Sequence, residues 1–468
     1  MMASRWPLAL AVSSLCLPLA WAQSSGWVEN EVNATMCTWN LPRVGVIRDT
    51  AYIDGGELYW QPSLSDGEGS YPIRDEMEQG LVYTLNFSTP FKTSDNFSEV
   101  LSNITAVVGA SNNIAPVYLD GALFANDGEF LSYGGLLRGS VAFSPPDSDE
   151  SLGYERYAYG GEDRKFSPGF VQKTISKGTS RYVAYGGGVS VPSENKGYYF
   201  SGMQAKGRGP LYIAHANDTT DPTVYSRKLI SVDMSVQLLE TWKNESIIDD
   251  VPSRANPEVV WVPVGKNGIL VVIGGAVNPV YANSTFALTD AQKAESQTKS
   301  PGFVTTVAVY DIASATWYQQ PTTGGPENTA WAQGCAVVAS SPDGSTHNIY
   351  YYGGFEDEFI STELSETPFA EPSIGSQIIA GGRRSRSDKE RNSLQSPFND
   401  EVWVLSLPSF VWVKVATGRT DHGRAGHRCV KPYPDQMVVL GGYPSNGGTA
   451  VSCVSGGIVQ LFNLTSLE

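Results

Sequence analysis

Histidine is scarce in this chain: 468 residues hold four, His215, His347, His422 and His427. No GxSxG elbow, HExxH helix or CxxC pair occurs, so acyl transfer and zinc chemistry lack their usual local signatures. Basic residues are few as well, 32 against 48 acidic ones. The resulting net charge of −16 argues against nucleic acid or an anionic membrane surface as a partner. Long amphipathic runs that would form helices are rare. The apolar stretch LALAVSSLCLPLAWA is shorter than the about 20 residues needed to span a bilayer. It follows Arg5 and closes on the small-x-small pattern Ala20-Trp21-Ala22, so residues 1–22 read as a secretory signal cut before Gln23. Residues 23–468 then remain as one domain.

Turn formers and aromatics are abundant, with 48 glycines, 28 prolines and 23 tyrosines, a balance that suits an all-β fold. Secretion licenses a reading of Asn-x-Ser/Thr triplets as glycan acceptors, and these begin at Asn33, Asn86, Asn96, Asn103, Asn217, Asn244, Asn283 and Asn463. Cys37, Cys335, Cys429 and Cys453 remain after cleavage, an even number that allows two disulfides in three connectivities.

The stretch NGILVVIGG, residues 267–275, is a short β-branched run bounded by Asn-Gly and Gly-Gly, which reads as a strand buried on both faces. It has relatives along the chain. TAYIDGG ends on Gly55-Gly56, EFLSYGG on Gly134-Gly135, GYYFSG on Gly202, NGILVVIGG on Gly274-Gly275, NIYYYGG on Gly353-Gly354 and QMVVLGG on Gly441-Gly442. A strand, a turn and a second strand carrying tryptophan follow at a distance. VAVYDIASATW places Trp317 six residues after Asp311, and EVWVLSLPSFVW places Trp412 six after Ser406. LISVDMSVQLLETW repeats the layout up to Trp242.

These doublets and tryptophans resemble kelch repeats, the four-stranded blades of a β-propeller. The resemblance implies that each doublet closes strand b, that each tryptophan lies on strand d, and that GRAGHRC opens strand a with His427. In WAQGCAV it implies that Cys335 stands where that histidine would be. The chain resembles the secreted or membrane-anchored kelch ectodomain proteins of fungi. Extra doublets at Gly160-Gly161 and Gly186-Gly187 lie too close to their neighbours to be separate blades of about 50 residues. Six blades are therefore expected, with seven as the alternative.

In the last unit, Asn463 occupies the place of Asp311, and no tryptophan follows it. VNATMCTW near the start has Asn33 and Trp39 at the same spacing, so residues near Met36 to Asn40 are expected to pair as the outer strand of the blade holding Gly441-Gly442. On this blade assignment Cys429, near the start of strand a, is expected to pair with Cys453, in the loop after strand b. Cys37 and Cys335 are left for each other.

Kelch folds include copper oxidases of the galactose oxidase type, which gather histidines, tyrosines and a cysteine at the ring axis. Here His427 has a structural explanation, while His347 and His422 fall in polar loops, so the reading is not an enzyme, with no catalytic residue, cofactor or metal. The b-to-c connections leave a propeller on one face, and three are long, residues 61–80, 276–303 and 355–399; such loops are where binding usually resides. The last of them carries RRSRSDKER, a polar loop with the one concentrated positive charge. The expectation is a secreted or cell-surface kelch propeller that binds a protein or cell-wall polysaccharide through its loop face. The alternatives are a galactose-oxidase-like copper oxidase, or the structural ectodomain of a single-pass membrane protein whose anchor follows residue 468.

Overall fold

In the computed structural model, Ile269–Ile273 of NGILVVIGG is indeed a strand, flanked on one side by Glu258–Val262 and on the other by Thr306–Asp311. Thr316–Pro321 completes a four-stranded antiparallel sheet. The central strand reads apolar on both faces because a neighbouring blade covers each face. Val271 and Ile273 pack towards Leu405 and Trp412, while Leu270 and Val272 pack towards Phe200 and Leu229. The structure describes residues 31–65, 70–75, 81–104, 117–138, 147–155, 171–176, 178–213, 220–237, 239–282, 288–356, 398–419, 421–445 and 451–467. The signal region, Asn217, Asn283, His215, Gly160-Gly161 and RRSRSDKER lie outside them.

Six such blades make the ring. Their first strands are Arg43–Ile47, Ala122–Ala125, Gly187–Val191, Glu258–Val262, Cys335–Ser340 and Arg424–Tyr433. The first five blades have four strands, and the sixth, among the described residues, has three: Arg424–Tyr433, Gln436–Pro444 and Val459–Asn463. Gly186-Gly187 is accordingly the entry to strand a of the third blade and no strand b doublet.

Tryptophans 242, 317 and 412 stand on strand d of the third, fourth and fifth blades, as the resemblance implied. Each reaches into the preceding blade. Trp242 lies 5.3 Å from Tyr133 and Trp317 lies 5.5 Å from Phe200, while Trp412 shares a layer with Val271 and Ile273. Such aromatic pairs add about 0.5–1.5 kcal/mol each beyond the area they bury.

The glycine doublets stitch one blade to the next. The second glycine donates its N–H to a carbonyl just ahead of, or at the first residue of, the following blade's strand a: Gly56 to Tyr118 at 2.8 Å, Gly135 to Val183 at 2.8 Å, Gly275 to Trp331 at 2.6 Å and Gly354 to Arg424 at 2.8 Å. Gly202, which stands alone where the other blades have a doublet, donates to the Arg254 carbonyl at 3.4 Å. A Cβ on Gly274 would come within 2.6 Å of the Trp331 carbonyl, and its φ of +62° suits glycine.

The N-terminal strand corrects one expectation. Glu31–Asn40 does meet the last blade, where Trp39 pairs with Gly442, but it does not form that blade's outer strand. It pairs along its length with Glu57–Leu64, from Glu31 opposite Leu64 to Asn40 opposite Glu57. The reason is general in this ring: residues ahead of strand a pair with residues that follow the doublet. Trp331–Ala332 pairs with Phe355–Glu356 and Tyr118–Leu119 with Leu136–Leu137 in the same way. The N-terminal strand is the longest instance of that pairing. It belongs to the first blade and closes the ring by the same stitch as every other joint.

Candidate functional site

Two residues after each stitched carbonyl comes a residue that turns the chain into strand a. These six residues are Leu41, Asp120, Tyr185, Asn256, Gln333 and Gly426, and all have positive φ, from 46° to 66°. Their backbones form a closed hydrogen-bonded circle around the axis. Leu41 N–H donates to Gly426, Asp120 to Leu41, Asn256 to Tyr185, Gln333 to Asn256 and Gly426 to Gln333, each to the carbonyl, at 2.6–3.4 Å. The sixth link differs, because Tyr185 N–H donates to the Asp120 carboxylate. Holding a non-glycine residue at positive φ costs of order 1–3 kcal/mol, so the circle is a strained element kept in place by its neighbours. Sequence reading missed it. The signal was present, since five of the six are followed by glycine or proline.

Asp120 is fully buried and is the electrostatic hub of the axis. Besides the Tyr185 N–H, its carboxylate accepts Arg428 Nη2 at 3.3 Å and Asn256 Nδ2 at 3.4 Å. Arg428 also donates through Nε to the Pro42 carbonyl at 3.1 Å. Burial pushes the Asp120 carboxyl up from its usual range, and Arg428 and the two backbone N–H groups, Tyr185 and Gly121, oppose it.

The circle divides the axis into two environments. On the side of the a–b turns lies a channel of ≈550 Å³, walled by the first strands of all six blades and reaching Arg48, Asp127 and Lys431 at its rim. Glu258 lies deep in its wall, and its carboxyl is pushed up to about 8, first by burial and then by the Asp120 charge, against Arg428 and the Ala336 N–H. On the loop side the axis is filled. Leu119, Leu136, Met203, Phe355, Phe398 and Tyr443 form a buried apolar plug with Tyr185 and Tyr281. Tyr281 stacks on Phe355 at 5.4 Å, and Phe398 meets Phe355 edge-on at 4.7 Å.

Arg254 and Arg424 hold the same place in their blades, two residues ahead of the circle. Arg424 donates to the Gly441 carbonyl at 3.0 Å and to Ser455 at 2.7 Å; Arg254 donates to Val272 at 3.2 Å and stands over the Phe303 ring at 4.3 Å. Burial lowers the Arg254 guanidinium to about 9. The likeness of RAN in the fourth blade to RAG in the sixth is the sequence trace of this pair.

His427 is buried in the sixth blade, its Nε2 3.2 Å from the Tyr352 carbonyl. Burial, with Arg424 second, lowers its pKa to about 3, so the ring is neutral. His347 opens a strand and bonds Ser340 Oγ at 2.8 Å, and His422 lies 3.9 Å from Asp421. Cys335 does not take the place of His427. His427 lies opposite Gly441, whereas Cys335 lies opposite Tyr352, one residue short of Gly353, because Gln333 and not Gly334 is the turning residue of the fifth blade.

The disulfides also differ from expectation. Cys37 is bonded to Cys453 and Cys335 to Cys429, with Cα atoms 4.4 Å and 5.4 Å apart. Cys429 and Cys453 belong to one blade, but Cys429 faces the channel beside Cys335, away from the loop that carries Cys453. With the N-terminal strand inside the ring, the loop carrying Cys453 lies against it, and Val454 N–H donates to the Cys37 carbonyl at 3.1 Å. Cys335 and Cys429 lie on adjacent first strands and line the channel.

Among the sequons, Asn33, Asn86 and Asn103 are exposed, while Asn96 caps a helical turn and is half-buried. Asn463 accepts two backbone N–H groups in the turn after the last strand. Asn244 is half-buried and donates its amide to the Gly178 carbonyl at 2.6 Å.

No family model matches the chain. Among curated proteins it is similar to a Kelch repeat-containing protein of Arthroderma benhamiae, 25% identical over 442 residues, which covers 89% of this chain and 54% of that protein. The chain thus spans about half the length of the curated relative it matches. Six blades joined doublet to lead-in, strand d tryptophans packed into the preceding blade, and this similarity together support a kelch-repeat β-propeller.

Proposed function

We propose that this propeller is a secreted or cell-surface binding module, not an enzyme, and that it engages a protein or a cell-wall glycan through the face carrying its b-to-c connections. The observation that carries this reading is the apolar plug. At the loop end of the axis, where residues from all blades converge, the described side chains are mainly Phe355, Phe398, Tyr281 and Tyr443 with aliphatic neighbours, and the buried Gln333 amide accepts the Tyr443 hydroxyl at 2.7 Å. Around the plug the connections stand up as built elements. One is the ribbon of Glu31–Asn40 with Glu57–Leu64, and another is the helix Asp290–Lys299, capped by Thr289 and Gln292. Tyr71, beyond the ribbon, is 78% exposed, an aromatic side chain available for contact. A ring whose axis is filled at the end where its b-to-c connections leave favours surface recognition over chemistry in a cleft.

The test is a binding screen of the purified chain against immobilised cell-wall polysaccharides and a panel of secreted proteins, repeated with Tyr71→Ser. Saturable binding weakened at least several-fold by Tyr71→Ser supports the reading. Stoichiometric copper uptake with oxidation of a primary alcohol would replace it by the oxidase reading.

A further inference from the structure

We infer that Cys335, Cys429 and His427 form a latent site for a thiophilic divalent cation, closed while the Cys335–Cys429 bond is intact and opened when a dithiol reduces it. Among the described residues these three are the one group of His, Cys, Asp and Glu side chains placed to hold a metal ion, with a sulfur, a sulfur and a ring nitrogen all within 4.8 Å of one another. In a tetrahedral site with metal–sulfur bonds of about 2.3 Å and metal–nitrogen bonds of about 2.0 Å, ligand atoms lie between about 3 and 4 Å apart. The ring nitrogen is thus already within reach of a metal held at the sulfurs, and the two sulfurs, bonded to each other in the disulfide, move apart to that spacing once it is reduced.

The fold supplies this constellation from two blades. His427 and Cys429 are two residues apart on one strand, which puts both side chains on the same face. That face meets the fifth blade, where Cys335 opens strand a. His427 can sit there because Gly353 has no Cβ: one built on it would come within 2.4 Å of the ring. The carbonyl of Tyr352 can only accept, so Nε2 carries the proton and Nδ1 is a bare lone pair. Nδ1 is buried without a hydrogen-bond partner. A ring held through one nitrogen by a backbone carbonyl is the usual state of a metal-ligating histidine. The channel gives access, since Cys335 and Cys429 are both in its wall and Cys429 is partly exposed. Three protein ligands leave a fourth position for water from that channel.

The chemistry balances as thiol–disulfide exchange. A dithiol attacks the Cys335–Cys429 bond, is itself oxidised to a disulfide, and leaves two thiols in the protein. Cation binding then displaces the two thiol protons and forms two metal–sulfur bonds and one metal–nitrogen bond. Disulfide and metal exclude each other because they use the same two sulfurs. Cobalt(II) is the probe, because thiolate ligation gives it a sulfur-to-metal absorption band.

The experiment uses the full chain with Cys37→Ser and Cys453→Ser, reduced with a dithiol and desalted without oxygen, beside the same protein left oxidised. One equivalent of cobalt with the charge-transfer band in the reduced sample, none in the oxidised one, and displacement by zinc are expected. His427→Ala should weaken cobalt binding at least tenfold, and bound zinc should slow re-formation of the Cys335–Cys429 bond, read by peptide mapping. If the double serine variant fails to fold, reduced wild type is compared with Cys335→Ser, which should bind no cobalt at this site. No uptake after reduction, or equal affinity in His427→Ala, overturns the site.

Discussion

Trp39 and Gly442, one near each end of the chain, face each other as a β pair, and Trp39 also donates its indole N–H to the Gly55 carbonyl at 2.8 Å. One side chain thus ties the doublet of the first blade to its own lead-in, while its backbone holds the doublet of the last. Trp39 is 2% exposed and packs with Leu440 and Val438 of the sixth blade.

Replacing Trp39 by alanine is therefore expected to cost about 3–5 kcal/mol and to loosen the joint between first and last blades. Denaturant unfolding measures the loss. Hydrogen exchange should place the new openings in Gln436–Pro444 and Thr50–Asp54 before any other blade. Uniform exchange across all six blades would show that this joint is not special.

The doublets allow steric strain to be separated from backbone strain. Gly274 and Gly265 both have positive φ, +62° and +75°, but a Cβ at Gly274 would strike the Trp331 carbonyl and one at Gly265 would meet nothing within 4 Å. Gly265→Ala should cost about 1 kcal/mol, the left-handed penalty alone. Gly274→Ala should cost about 2–4 kcal/mol, because the fourth and fifth blades must also part. Equal losses in the two variants would mean that the stitch tolerates displacement.

The pattern of these joints explains what sequence could and could not deliver. Strand b was legible in Ile269–Ile273 because burial on both faces leaves an unbroken apolar run, and strand d because a tryptophan must fill the layer to the preceding blade. Glycine was legible where a Cβ has no room. The axial circle was not, because Leu41, Asp120, Tyr185, Asn256 and Gln333 share a backbone conformation and no side-chain type. The N-terminal strand was assigned to the wrong blade for a related reason. The spacing of Asn33 and Trp39 imitates strand d, but partner choice depends on the Glu57–Leu64 strand, which only the assembled ring brings alongside. The cysteine pairing was not legible either, because Cys429 turns into the channel towards the neighbouring blade and not towards the loop after its own strand b.

Non-reducing peptide mapping should accordingly find Cys37 linked to Cys453 and Cys335 to Cys429. The first bond joins the N-terminal strand to the loop after the last doublet and so reinforces ring closure. Cys37→Ser with Cys453→Ser should lower stability by about 2–5 kcal/mol. A Cys429–Cys453 peptide would instead restore the assignment within one blade.

The channel carboxyl makes the last expectation, in pH dependence. Glu258 faces Arg428 and Asp120 across the axis and receives the Ala336 N–H, yet burial dominates and raises its pKa to about 8, against about 4.3 for an unfolded glutamate. Between those two values the folded chain holds a proton that the unfolded chain has released. Proton binding that favours the folded state stabilises it fully below the unfolded pKa, and the advantage drains away as pH rises to the folded value. Wild type should thus lose stability relative to Glu258→Gln as pH goes from about 4 to about 8, with no further divergence above that. The variant cannot ionise at this position, so the difference between the two proteins cancels every other titrating group. Denaturant melts of both at pH 5, 7 and 9 measure it. A difference that stays constant across the three would show that Glu258 ionises in the channel at its ordinary pKa and that the inner channel is wet enough to solvate the charge.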